Sequence, residues 1–153
     1  MQGIRALIAV VACLAGSGVA LAAETRDVES LDSGKALTAV LPFSEAVRAG
    51  NTLYLSGQIG VLPGTLTLAP GGIRGQARQA MENIKTLLEA HGYSIANIVK
   101  CTVMLADMAD WAVFNEVYRG YFGAHYPARS AFGASGLALG GRLEIDCIAV
   151  IDP

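Results

Sequence analysis

The chain has 153 residues, 11 basic against 13 acidic, and a formal net charge of -2. That length suits one domain with one core. An acidic balance without any basic run argues against a nucleic-acid partner, whose phosphates are gripped by clustered Lys and Arg.

The first element is a secretory signal. Arg5 supplies the positive n-region, residues 6–18 are apolar and small, and Ala20, Leu21 and Ala22 fit the small-x-small cleavage pattern. The expected mature chain begins at Ala23, with an uncleaved anchor as the competing reading. No later stretch approaches the roughly 18 uninterrupted apolar residues of a membrane span. Cleavage removes Arg5 alone among the charges, so 11 basic residues become 10 against 13 acidic, a net of -3. Cys13 leaves as well, and the mature chain keeps Cys101 and Cys147. Two cysteines are no disulfide framework. Export permits a disulfide, but the expectation is two free thiols in the core, because a bridge between paired strands has demanding geometry. No Cys and His spacing suggests zinc, and no metal is expected.

Residues 23–41 read as an N-terminal leader with one strand at most, followed by the domain proper at 42–153. Two extended runs, 43–48 and 52–56, flank Ala49, Gly50 and Asn51, a hairpin signal. Residues 62–72 carry Pro63, Gly64, Pro70, Gly71 and Gly72 and read as a loop. Residues 76–90 are the clearest helix, with Ala77, Met81, Ile84, Leu87 and Leu88 on one stripe and Gly92 suited to its C-terminal cap. A strand follows at 98–105. A second helix at 110–122 has Asp110 as its N-cap and Val113, Phe114, Val117, Tyr118 and Tyr121 as its apolar face, read as core. A short strand around Ser130 and a last strand at 142–151 complete an α+β layout, with the helices on one face of a mixed sheet.

Alternate strand residues point to opposite sides. Val99, Cys101, Val103 and Leu105, then Leu143, Ile145, Cys147 and Ala149, with Leu53 and Leu55, should lie under the helices. The opposite face mixes polar Thr52, Ser56, Lys100, Glu144 and Asp146 with apolar Tyr54, Ile148 and Val150. No sequence element remains to cover it, so a neighbouring subunit is the economical answer. Ser56 and Glu144 share that face, which makes it a candidate interface site.

Several segments carry a resemblance in order and spacing. Ser56-Gly57-Gln58-Ile59 comes first, then Gln76-Ala77-Arg78-Gln79 and Asn83-Ile84. Residues 98–103, Phe114-Asn115 and Tyr118 follow. Tyr126-Pro127-Ala128-Arg129-Ser130 and the acidic final strand from Leu143 to Val150 close the set. Together they resemble the Rid (YjgF-like) reactive-intermediate deaminase family across residues 42–150. The resemblance implies a chorismate-mutase-like fold and a homotrimer with clefts between subunits. It also implies hydrolysis of small 2-enamine or 2-imine carboxylic acids to 2-keto acids and ammonia, without a cofactor.

Residue by residue, Arg129 matches the family arginine that holds the substrate carboxylate, a role suited to a planar guanidinium with paired donors. Glu144 matches the glutamate that positions the attacking water, since water adding to a C=N carbon needs a nearby proton acceptor. Ser56 and Gly57 match the pocket floor, and Asn115 a polar pocket residue. Phe43 stands where many members have Tyr, and Ala131 where many have Cys. Both are expected at the substrate, with consequences for its choice. The loop before Pro127 is shorter than in common members. His91, near a helix C-terminus, and His125, in the loop before Arg129, form no second catalytic constellation.

The rival reading is a non-catalytic trimer that binds small carboxylic acids, which needs Arg129 but not Glu144. Ribonuclease activity is a third reading, opposed by the acidic balance.

Overall fold

The protein is described here as a computed structural model covering residues 27–35 and 42–151. The expected signal segment, 1–22, lies outside the described residues, as does the leader apart from 27–35. Six strands form one sheet: β1 (Val28–Leu31), β2 (Ala46–Ala49), β3 (Thr52–Ile59), β4 (Ile98–Leu105), β5 (Ala128–Gly133) and β6 (Leu143–Val150). Their spatial order is β1-β2-β3-β6-β4-β5, and only the β4–β5 pair is parallel. Two helices, α1 (Gly72–Ala90) and α2 (Trp111–Arg119), complete the α+β fold.

Helix α1 buries Ile73, Ala77, Ala80, Met81, Ile84, Leu87 and Leu88, one stripe at helical spacing. It starts four residues before the expected boundary, because Gly72 and Gly75 in its first turn weaken the helical pattern there. Gly92 follows its end at φ +82°, and the Tyr93 N–H donates to the Leu88 carbonyl at 2.9 Å, closing the helix with a left-handed residue. Helix α2 ends at Arg119, three residues short of the expected end, with Gly120 as its C-cap. Asp110 stands at its N-cap position but makes no side-chain cap bond. Its carboxylate instead pairs with Arg142 at 2.7 Å, tying α2 to the start of β6. Asp107 caps the short turn before it, accepting from the Ala109 N–H.

The core lies between the helices and one face of the sheet. Leu53, Leu55, Cys101, Val103, Leu105, Leu143, Ile145, Cys147 and Ala149 are all buried there. Val99 is an exception to the expected face and is 45% exposed, with Ile98 buried in its place. A β-bulge explains this. Ile98 pairs with Ala149 and Lys100 with Ile148, leaving Val99 as the extra residue, and one extra residue reverses the side-chain alternation before it.

The expectation of free thiols is corrected. Cys101 and Cys147 form a disulfide. They are direct cross-strand partners on β4 and β6, both facing the core, with Cα atoms 4.1 Å apart. That separation belongs to the closely approaching kind of antiparallel pair, which brings the two side chains together. The sequence reading treated strand pairing as an obstacle to the bridge, whereas this register supplies its geometry.

On the other face, among the described residues, no helix or loop covers the centre of the sheet. Tyr54 is 52% and Val150 41% exposed there, and Ile148 is partly open.

Candidate functional site

Five of the residues singled out in the sequence fall into two clusters, Arg129 with Asn115 and Glu144 with Gly57 and Phe43, on opposite faces of the sheet. Arg129 lies on β5, in register with the core-facing Cys101 of β4, so it points to the helix side. Its Nη2 donates to Asn115 Oδ1 on α2 at 2.7 Å. Three aromatic rings of α2 surround the guanidinium, with centroids at 4.6 Å for Tyr118, 4.9 Å for Trp111 and 5.6 Å for Phe114. Cation–π attraction and the Asn115 bond hold the guanidinium while leaving it further donors. Asn115, Tyr118, Arg119, Tyr126, Pro127 and Arg129 line a cleft of about 390 Å³. Trp111, Phe114, Asn115 and Tyr118 recur at helical spacing on one side of α2. That spacing was the signal available for Trp111, which the sequence reading passed over. Phe114 and Tyr118 are core residues as expected, yet the same rings also face Arg129.

Glu144 alternates with buried Leu143 and Ile145 on β6, so its carboxylate emerges on the uncovered face. There it lies against Gly57, and a Cβ added to Gly57 would overlap Glu144 Oε1. Glycine is required at 57 because the carboxylate occupies the space a side chain would take. A second bulge in β3 creates this arrangement: Leu55 pairs with Cys147 and Gln58 with Ile145, so Ser56 and Gly57 together face Asp146. Gly57, Glu144, Phe43, Ile59, Leu66 and Leu139 are among the residues lining a second cleft of about 380 Å³. Its wall is largely apolar, and Leu139 holds a left-handed backbone at φ +56°, a conformation that costs a branched residue roughly 1–2 kcal/mol.

Ser56 lines neither cleft. Its Oγ donates to the Ser44 carbonyl at 2.7 Å, and its N–H to the Glu45 carbonyl at 2.9 Å. These bonds pin the segment carrying Phe43 against β3. Ala131 faces the core beside Val103 and lines neither cleft. Two more residues of the quoted motifs do structural work. Gln76 Oε1 accepts from the Arg142 N–H at 2.8 Å, fixing the start of the strand that carries Glu144. Asn83 donates to the Val61 carbonyl at 3.0 Å, holding the end of β3 to α1.

The family model described as Endoribonuclease L-PSP matches residues 33–151. A 2-iminobutanoate/2-iminopropanoate deaminase of Bos taurus is 44% identical over 123 residues, 80% of this chain and 90% of that protein. Reactive Intermediate Deaminase A, chloroplastic, of Arabidopsis thaliana is 36% identical, over 88% of this chain and 72% of that protein. Among solved structures, RidA of a Psychrobacter species superposes with a TM-score of 0.75 at 43% identity, covering 80% of this chain and 99% of the other. TdcF of E. coli with bound serine superposes equally well, at 36% identity over 81% and 99%. The chain belongs to the Endoribonuclease L-PSP family, that of RidA and YjgF.

Proposed function

We propose that the protein hydrolyses small 2-imino carboxylic acids, and their enamine tautomers, to 2-keto acids and ammonia. Relatives 41–44% identical bear the name of that activity. The observation that carries the reading to particular residues is the division of the site. One cleft presents a clamped arginine, suited to a carboxylate, and the other presents a carboxylate on an apolar wall, suited to a water and an alkyl group. Arg129 and Glu144 are on opposite faces of one chain, so a single copy cannot bring both to one small substrate.

The uncovered face supports a site shared between copies. Tyr54, Ile148 and Val150 on a bare sheet centre favour burial against a second copy. A closed ring of three copies, each offering its β5–α2 edge to its neighbour's uncovered face, would place Arg129 of one beside Glu144 of the next. In such a site Arg129 holds the substrate carboxylate. Glu144 orients a water and takes its proton as the oxygen adds to the C=N carbon. Glu144 then returns that proton to the amine nitrogen and takes the hydroxyl proton as the carbinolamine collapses, releasing ammonia and leaving a 2-keto acid. No cofactor is required, because the protonated imine is already electrophilic. The N-terminal signal supports export to the periplasm or beyond.

The test is release of 2-keto acid and ammonia from freshly generated 2-iminobutanoate. The expected result is release well above buffer by the wild type. Arg129→Ala should raise KM and also lower turnover, since orientation is lost with the charge. Keto-acid binding without hydrolysis would favour the non-catalytic reading.

A further inference from the structure

Tyr118 is 4% exposed, yet its hydroxyl has no hydrogen-bond partner among the described residues. A buried, unsatisfied hydroxyl costs folding free energy, and its persistence calls for a reason. The neighbours account for the ring but not the oxygen. The ring packs on Phe114 at 5.5 Å and Phe122 at 4.7 Å, and its centroid lies 4.6 Å from the Arg129 guanidinium carbon. Phenylalanine would make all of these contacts. The residue also lines the same cleft as Arg129.

We propose that the Tyr118 hydroxyl is a second anchor for the substrate carboxylate, donating a hydrogen bond to the anion that Arg129 holds. The inference rests on the imino-acid reading and adds to it a binding residue and a division of labour. Arg129 already gives one N–H to Asn115, and a two-pronged guanidinium contact fills only two of a carboxylate's roughly four lone-pair sites. A phenol on the ring stacked against the guanidinium is placed to supply the missing donor. Burial keeps that phenol protonated, pushing it up to about 12, although the Arg129 charge opposes the shift. It therefore reaches the carboxylate as a donor at neutral pH.

The experiment is Tyr118→Phe, with affinity for 2-oxobutanoate, deaminase KM and thermal midpoint all measured on the full oligomer. A hydrogen bond to a charged group predicts a loss of affinity of roughly tenfold to a hundredfold. KM should rise with it, while kcat changes less. The thermal midpoint should stay level or rise, because no folded-state partner is lost. Wild-type binding with unchanged affinity in Tyr118→Phe would overturn the inference and leave the proposed function standing. A lower thermal midpoint would overturn it too, since the hydroxyl would then have a structural partner. A wild type that neither binds 2-oxobutanoate nor hydrolyses any imine would remove the proposed function, and this inference with it.

Discussion

Glu144 and Gly57 form a pair in which one residue's missing side chain sets the other's position. Glu144→Gln keeps shape and hydrogen bonding but loses the proton acceptor. It should lower turnover by about two to four orders of magnitude, with little change in keto-acid affinity. Gly57→Ala should produce the same kinetic signature without touching the carboxyl group, because the methyl displaces it. Steady-state kinetics on both variants check this, and an active Gly57→Ala would mean that the position of Glu144 is immaterial. Tyr118 gives a residue-scale dependence on pH. Burial raises its folded-state pKa from 10.0 to about 12. Its titration leaves stability unchanged below pH 10, and stability falls as the pH climbs toward 12, because the unfolded phenol ionises first. Denaturant unfolding across that window should show a smaller decline in Tyr118→Phe than in the wild type.

At the scale of elements, the disulfide and the bulges separate what was legible from what was not. The stripe of α1, the strand at 98–105 and the alternation along β6 were readable because one face of each is buried and the periodicity survives. The bulges were not readable, since a bulge depends on the partner strand's register, which no single segment carries. Hence the alternation places Val99 on the wrong face, and no local pattern announces that the Ser56 hydroxyl holds the Ser44 carbonyl. The same register makes Cys101 and Cys147 partners. Their bridge closes a loop with a sequence separation of 46, for which chain entropy predicts stabilisation of about 4 kcal/mol, less any native strain. Replacing both cysteines by Ala should lower unfolding free energy by roughly 2–4 kcal/mol. Mass spectrometry of the chain without reduction, after expression with its N-terminal segment in an exporting host, should find the two cysteine peptides linked and the N-terminus at Ala23. Free thiols would contradict the fold's account of this pair, and a chain still beginning at Met1 would contradict cleavage.

For the whole molecule, the motifs single out Arg129 and Glu144, and the mixed second face is the part of the sheet that the described residues leave uncovered. What the sequence hid is that the two residues lie on opposite faces of the sheet. Arg129 follows Cys101 toward the helices through the parallel β4–β5 pairing, a topological fact outside any local pattern. The central claim is therefore that each working site takes Arg129 from one copy and Glu144 from another. Mixing Arg129→Ala and Glu144→Gln chains, after unfolding and refolding them together, tests it most directly. Each variant alone should be nearly inactive. Random assembly should rebuild about one site in four with both native residues, and activity should return to about a quarter of the wild type. A mixture that stays as inactive as its components, in an oligomer shown to have exchanged subunits, would contradict the account.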